Sequence, residues 1–204
     1  MAYQGDVRDA AALTRAAAEF VAQFGPPDVV IASAGVSRGT LTEHAEDAVA
    51  FQEVMDTNVL GMVHTFGPFI ASMRASRNGV LAGIASVAGF RGLPGAGAYS
   101  ASKAAAITYL ESLRVELARS GIAVVTICPG YVATPMTAAN PYPMPFLMKA
   151  ERAASLIARA IAYRRRFCVL PLPMAIVGWL LKRLPRPLYD FAFVHAPRKP
   201  RRPI

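Results

Sequence analysis

Apolar runs alternate with segments of helical periodicity along most of the chain. Three apolar runs, "DVVIASAG", "GVLAGIAS" and "IAVVTIC", predict buried strands over residues 28–35, 79–86 and 122–128, and "FCVLP" predicts a last strand at 167–171. Helices are predicted over residues 10–25, 47–77, 99–119 and 149–166. Because this order is typical of βαβ units, the pattern predicts an α/β fold with a parallel sheet.

The pattern loosens after Pro129. Residues 131–148 are rich in proline, methionine and threonine and predict a long loop, and such loops in compact domains are usually functional lids. The apolar side chains of this loop favour an apolar substrate; they are Met136, Met144, Phe146 and Met148.

The longest apolar run, Leu170 to Leu181, has 12 residues, fewer than the roughly 18 needed to span a bilayer. It predicts a buried C-terminal helix, with a helix lying on a membrane surface as the alternative.

The charge of the chain is concentrated near its C-terminus. The 204 residues, 54% of them hydrophobic, are enough for one core, so we expect one domain over residues 1–204. Residues 164–204 hold ten basic residues against the single acid Asp190, out of a net charge of +9. We expect a basic, solvated tail over about 185–204; contact with anionic lipid is the alternative, and no nucleic-acid partner is expected.

No secretory signal opens the chain, which predicts a cytoplasmic protein with at most a peripheral membrane contact. Cys128 and Cys168 lie far apart without CxxC spacing, as suits a reducing compartment. The histidines are isolated from one another and from cysteine, so no metal site is expected.

One tyrosine and one lysine are candidates for proton transfer. Tyr99 and Lys103, in "YSASKAAA", lie four residues apart on one helical face. A phenol has a pKa near 10, and an adjacent cation is expected to lower it by about 1 to 3 units. A chance match to YxxxK has a probability on the order of 0.1, so the pair alone is weak evidence.

Other polar residues surround this pair in the predicted fold. Ser86 ends a predicted strand, and Asn58 lies inside a long predicted helix, where asparagine is a mediocre helix former. Gly35, Ser86 and Pro129–Gly130 all follow the carboxyl ends of predicted strands, where open parallel sheets bind ligands.

These residues, in this order, resemble the short-chain dehydrogenase/reductase family over residue 3 to about residue 170. The resemblance implies a Rossmann-like, doubly wound parallel sheet. The family pattern of Asn, Ser, Tyr-x-x-x-Lys and Pro-Gly-x-x-x-Thr is matched by Asn58, Ser86, Tyr99, Lys103, Pro129, Gly130 and Thr134.

The resemblance implies an oxidoreductase that uses NAD or NADP to interconvert a secondary alcohol and a ketone. Tyr99 would be the general acid/base, Lys103 would lower its pKa and hold the nicotinamide ribose, Ser86 would polarise the carbonyl, and Asn58 would hold a water. Substrate contacts would come from Ser86 and Tyr99. Cofactor contacts would come from Asp6, Val7, Ala34, Gly35, Tyr99, Lys103, Pro129, Gly130, Val132 and Thr134.

The match departs from the family at the start of the chain. No glycine-rich TGxxxGxG turn precedes Asp6, so we expect a Rossmann-type domain truncated at its N-terminus by about 55 residues relative to the family. A strand is expected at residues 1–5, and the missing strand would leave the edge of the strand at 28–32 exposed. Ser33 also replaces an asparagine of the family. The alternative function is a non-catalytic remnant that binds a partner or a membrane through its tail.

The resemblance also implies a homodimer or homotetramer. The helices at 47–77 and 99–119 would form a four-helix contact between subunits, with close approach at Ala101, Ala104 and Ala105. The sequence neither names the substrate nor decides between NAD and NADP.

Overall fold

The centre of the molecule is a four-stranded parallel sheet. The computed structural model describes residues 1–138, 140 and 142–201. The strands are Val29–Ala32 (β1), Gly79–Ile84 (β2), Ile122–Pro129 (β3) and Phe167–Leu170 (β4), and they lie in the order β1–β2–β3–β4. The predicted α/β fold with a parallel, Rossmann-like sheet is therefore confirmed.

Helices cover both faces of this sheet. They are Ala10–Phe24 (α1), Asp47–Met55 (α2), Gly61–Ser76 (α3), Gly97–Glu116 (α4), Pro135–Ala138 (α5), Ala150–Ala162 (α6), Leu172–Arg183 (α7) and Arg186–Phe193 (α8). A π-helical turn, Asp56–Leu60, joins α2 to α3, and a 3-10 turn, Val87–Gly89, follows β2. The predicted helix at 47–77 is thus interrupted at its middle.

Side chains alternate between two cores along β2 and β3, as the two-residue period of a strand requires. On one face, Leu81 and Val124 pack with Phe66 of α3 and Leu110 of α4. On the other face, the core consists of Val80, Ala82, Val125, Ile127, Met148, Ala153, Ile161 and Leu170, so it is closed largely by α6. The sheet is therefore held between helices on both faces, and its carboxyl end is fixed relative to them.

The strand predicted at residues 1–5 is wrong. Residues 1–6 have no regular structure, and no strand among the described residues pairs with the outer edge of β1. Without a neighbour to complete its hydrogen bonds, this segment cannot form a ladder. β1 is the outermost strand, so its expected unpaired edge is observed. On one face of the sheet, its Val29 and Ile31 are also 42% and 47% exposed.

The loop predicted at 131–148 contains one short helix, α5, and Val132 pairs with Met148 as an isolated bridge. Met148 is buried, whereas Met136 and Phe146 are exposed. Ala139 and Pro141 of this predicted lid lie outside the described residues.

The prediction of a buried C-terminal helix is wrong for one face of α7. Met174 and Gly178 are buried, but Leu172, Ile176 and Trp179 are exposed. α7 packs with one side against β4 and the 3-10 turn after β2, so its apolar outer face stays uncovered. Across the described part of the chain, no helix combines the length and the apolar character needed to cross a bilayer.

Candidate active site

Three neighbouring strands end at the same edge of the sheet. Gly35 follows the end of β1, Ser86 follows the end of β2, and Gly130 follows the end of β3. Because parallel strands present their carboxyl ends together, the three turns meet at one rim. Tyr99 and Lys103 reach this rim from α4.

The first turn of α4 is fixed by polar contacts that the sequence did not indicate. The backbone N–H of Ala98 donates to Oγ1 of Thr40 at 3.4 Å, and the backbone N–H of Leu93 donates to Oγ of Ser100 at 3.2 Å. Thr40 and Ser100 are both buried. The helix start that carries Tyr99 is therefore attached both to the loop after β1 and to the loop after β2.

Lys103 is a buried cation at the floor of the site. Its side chain is almost completely buried, and Nζ donates to the carbonyl oxygen of Ile84, at the end of β2, at 2.8 Å. Burial lowers the pKa of Lys103 to about 8, because water no longer solvates the ammonium. The ammonium lies 5.8 Å from the centre of the Tyr99 ring.

The pKa of Tyr99 is raised from its ordinary value, and the expectation of a lowered pKa is wrong for this arrangement. Burial of the phenol is the larger effect, and a hydrogen bond with the Ser86 side chain acts in the opposite direction. The hydrogen bond with Ser86 places the hydroxyls of Ser86 and Tyr99 next to each other.

Ser86 is held by the turn that follows β2. Its Oγ accepts a hydrogen bond from the backbone N–H of Ala88 at 3.1 Å and donates to the carbonyl oxygen of Pro129 at 3.3 Å. It thus caps the 3-10 turn at Val87–Gly89 and links the ends of β2 and β3. Both contacts fix the position of the Ser86 oxygen.

The π-helical turn between α2 and α3 turns Asn58 inward. Its Oδ1 accepts from the backbone N–H of Val36 at 2.8 Å, and its Nδ2 donates to the carbonyl oxygen of Val36 at 2.9 Å. Nδ2 also donates to Oγ of Ser102 at 2.9 Å. A π-helical turn inside an α-helix is frequent at functional sites. Asn58 therefore ties the loop after β1 to α4, through Val36 and Ser102, which the sequence did not single out.

A wide cleft opens at the outer side of this rim. Its volume is about 590 Å³, and its walls are Gln4, Gly5, Asp6, Val7, Arg8, Ala34, Gly35, Val36, Glu53 and Thr57. Asp6 is paired with Arg8, whose guanidinium and backbone N–H hold the pKa of the carboxyl down to about 2. Nδ1 of His64 lies 3.0 Å from the carbonyl oxygen of Val7, and Gly61 leaves space for the Val7 side chain.

The residues of the rim fit the ribose side of a dinucleotide. At Gly35 an added Cβ would lie 3.2 Å from Oδ1 of Asn58 and 3.6 Å from Nζ of Lys103, so only glycine leaves the approach to the ammonium open. The described residues contain no glycine-rich turn upstream of Asp6 that could receive a pyrophosphate.

The fourth part of the site is the segment after β3. The backbone N–H of Gly130 donates to the carbonyl oxygen of Leu170 at 2.6 Å. Thr137 fixes Thr134 and Val132, since its Oγ1 accepts from the Thr134 N–H at 3.0 Å and donates to the Val132 carbonyl at 2.6 Å. Pro129, Gly130, Val132 and Thr134 thus lie on one ordered segment beside Ser86.

The basic tail crosses the mouth of the site. Val194, His195, Arg198 and Pro200 are exposed, but the prediction of a solvated tail is wrong for Lys199 and Arg201, which are partly buried. Nζ of Lys199 donates to Oγ of Ser37 at 2.7 Å and lies 5.9 Å from the centre of the Tyr99 ring. Arg201 pairs with Glu46 and Asp47, each at 2.7 Å. Residues 202–204 of the predicted tail lie outside the described residues.

The tail separates two cavities near Tyr99. One, of about 230 Å³, lies between Gly35–Gly39, Pro135–Met136 and the tail residues Lys199 and Pro200. The other, of about 240 Å³, is lined by Leu93, Pro94, Ala96, Tyr131, Tyr142, Pro143, Phe193, Ala196, Pro197 and Lys199. The second cavity is mainly apolar, and Lys199 belongs to both.

Residues 1–143 match the family model described as short chain dehydrogenase. The chain belongs to this family. Asn58, Ser86, Tyr99 and Lys103 occur along the chain in the order of this family's sequence pattern. The assignment expected from the sequence is therefore confirmed.

Curated short-chain dehydrogenases are similar to the chain over much of its length. An uncharacterized oxidoreductase of Myxococcus xanthus is 40% identical over 171 residues, which is 84% of this chain and 67% of the relative. An acetoacetyl-CoA reductase of Synechocystis is 34% identical over 66% of this chain and 55% of its own. A 3-oxoacyl-(acyl-carrier-protein) reductase of Staphylococcus aureus is 34% identical over 67% of this chain and 55% of its own. The chain thus spans two thirds of the first relative and about half of the other two.

Solved structures share the fold. A short chain dehydrogenase from Burkholderia cenocepacia, in complex with NADP, matches 95% of this chain and 78% of its own with a TM-score of 0.79 at 22% identity. ElxO with NADP bound matches 82% of this chain and 74% of its own with a TM-score of 0.71 at 26% identity.

Proposed function

We propose that the chain carries the catalytic part of an NAD(P)-dependent oxidoreductase that interconverts a secondary alcohol and a ketone. The observation that supports this most is the convergence of the Ser86 and Tyr99 hydroxyls beside the buried ammonium of Lys103, at the carboxyl end of a parallel sheet. The family relationship points to the same chemistry.

Tyr99 is the proposed general acid/base. In the reducing direction, its phenol gives a proton to the carbonyl oxygen as a hydride reaches the carbonyl carbon, which leaves an alcohol and a phenolate. The bound dinucleotide supplies that hydride and accepts it in the reverse direction. Ser86 donates a hydrogen bond to the same oxygen, and Lys103, mostly charged below pH 8, stabilises the phenolate.

The cofactor would lie along the wide cleft at the rim. Asp6, Val7, Ala34 and Gly35 form its outer part, and Lys103 would hold the ribose hydroxyls through the opening at Gly35. Pro129, Gly130, Val132 and Thr134 would contact the nicotinamide from the segment after β3. The two neighbouring structures contain NADP, which supports a nicotinamide dinucleotide but does not choose between NAD and NADP for this chain.

The proposed substrate is a small molecule with an apolar part. The cavity of about 240 Å³ offers aromatic and proline side chains rather than charges along most of its wall. Two of the curated relatives are reductases of acyl substrates, which agrees with an apolar chain next to the carbonyl. These relatives give no support to the alternative of a non-catalytic module.

The decisive experiment compares Tyr99→Phe with Tyr163→Phe, an exposed tyrosine on the surface. Both variants and the parent are assayed for NADH and NADPH binding by fluorescence and for turnover of a ketone panel, in this chain and in a form extended upstream to the length of its relatives. We expect Tyr99→Phe to lose about 10²- to 10⁴-fold in turnover with cofactor binding unchanged. Turnover within tenfold of the parent would contradict the assignment.

A further inference from the structure

The two C-terminal helices, α7 and α8, both carry large apolar side chains that face outward. Phe191 is 84% exposed, and Trp179, the single tryptophan of the chain, is 53% exposed. We call this surface the α7–α8 face; its large apolar side chains, all more than half exposed, are Leu172, Ile176, Trp179, Leu180, Leu188, Phe191 and Val194. An exposed set of this size marks an interaction site more often than chance.

The face is held outward because the opposite sides of both helices are docked. Met174 packs on Gly130, and Gly178 lies so close to the Phe90 ring that an added Cβ would be 2.5 Å away. Nη1 of Arg91 donates to the carbonyl oxygens of Leu181 and Leu184, at 3.3 and 2.9 Å. On α8, the hydroxyl of the buried Tyr189 donates to the carbonyl oxygen of Gly92. Both helices are therefore held with their apolar sides outward.

Basic side chains border the face. Lys182, Arg183 and Arg186 are all exposed, and the Arg183 guanidinium lies 4.6 Å from the centre of the Trp179 ring. Asp190 is the only acid in α7 and α8. Apolar side chains with an aromatic residue and adjoining cations are the composition of a helix that lies in the headgroup region of an anionic bilayer.

We propose that the α7–α8 face docks on the surface of an anionic lipid bilayer. A second copy of the chain is the competing occupant, but symmetric pairing through this face would bring two sets of like charges together. Anionic lipid instead complements the three cations and accepts the apolar side chains at the same depth.

The face also adjoins the apolar cavity of the site. Phe193, at the end of α8, and Ala196–Pro197 form one wall of the 240 Å³ cavity. A substrate dissolved in the bilayer would enter there without crossing water. This last step rests on the proposed function, whereas the docking itself does not.

Trp179 makes the test direct. The full chain is mixed with vesicles of phosphatidylcholine alone and with vesicles that contain phosphatidylglycerol, and flotation and tryptophan emission are recorded without any enzyme assay. We expect flotation and a blue shift only with the anionic vesicles, both weakened by high salt. Ile176→Glu and the double variant Lys182→Glu, Arg183→Glu should each reduce binding by at least about tenfold.

Leu147→Glu, which alters an exposed apolar residue in the loop before α6, is the matched control and should bind as the parent does. Circular dichroism of every variant checks that it folds. Parent protein that stays unbound at low salt, or Ile176→Glu that binds as the parent does, would overturn the proposal. Lipid-free sedimentation that shows a dimer which Ile176→Glu disperses would assign the face to a second copy instead. Loss of activity in Tyr99→Phe would leave every one of these results unchanged.

Discussion

Lys103 shows how burial alone can set the charge of a site residue. The ammonium is removed from water and has one backbone carbonyl, that of Ile84, as its hydrogen-bond acceptor, so its pKa falls to about 8. The lysine thus begins to lose its proton near the upper end of the physiological range. In the unfolded chain the same group titrates near 10.5.

This difference makes stability depend on pH. Below pH 8 Lys103 is charged in both states, and between pH 8 and about 10.5 the unfolded state binds more protons, so the parent gains stability as pH rises. Relative to Lys103→Met, the parent should gain up to about 3 kcal/mol across this window. Urea unfolding at pH 7 and pH 10 measures it. The exposed Lys149→Met variant should follow the parent, and parallel curves for Lys103→Met would refute the prediction.

Asn58 is the polar residue on which the local structure depends most. Replacement by alanine leaves both backbone groups of Val36 without their partner and removes the hydrogen bond that the Ser102 hydroxyl accepts. We expect Asn58→Ala to reduce the free energy of unfolding by about 2 to 3 kcal/mol. Asn78→Ala removes exposed bonds to Asp28 and Arg164 and should cost less than about 1 kcal/mol. Equal costs in denaturant titrations would contradict this role.

At the scale of the elements, the spacing of apolar residues predicted the strands and helices, because these depend on the local sequence. The four strands and the helices Ala10–Phe24, Gly97–Glu116 and Ala150–Ala162 lie within a few residues of their predicted positions. The π-helical turn escaped prediction because one added residue in a turn hardly changes the spacing of apolar side chains.

Contacts between distant segments were also not predictable. The resemblance to the family grouped Asn58, Ser86, Tyr99 and Lys103 into one candidate site, and the strand end at Ser86 agreed with that grouping. Thr40 and Ser102 form hydrogen bonds that hold the site, and Lys199 lies near Tyr99. These contacts depend on how loops that are far apart in sequence pack, which a local sequence pattern does not predict.

The docked tail can be tested through two glycines. An added Cβ at Gly39 would lie 2.5 to 2.7 Å from backbone atoms of Lys199 and Pro200, whereas one at Gly97 meets nothing within 4 Å. Gly39→Ala should therefore displace the tail, and trypsin should cut after Arg198 at least about fivefold faster than in the parent. Gly97→Ala should be cut at the parental rate. Unchanged cleavage in Gly39→Ala would mean that the tail is not held at this position.

At the scale of the whole molecule, α2 and α4 leave apolar side chains on the outside. Val49 and Val115 are 61% and 63% exposed. They lie on the helices for which the family resemblance implies contact between subunits. We expect sedimentation to show a dimer or tetramer that Val115→Glu disperses, whereas Leu147→Glu, in the loop before α6, should not. A monomeric parent would contradict the expected assembly.

The uncovered side of β1 has a geometric consequence for the rim. Its amide and carbonyl groups offer the pairing pattern of one more parallel strand, with the 4.8 Å spacing of a sheet setting where that strand would lie. A parallel strand paired with the full length of β1 would end beside Ala32, and the turn after that strand would lie beside Ala34. A single further strand at this edge would therefore place the turn that follows it at the rim of the wide cleft.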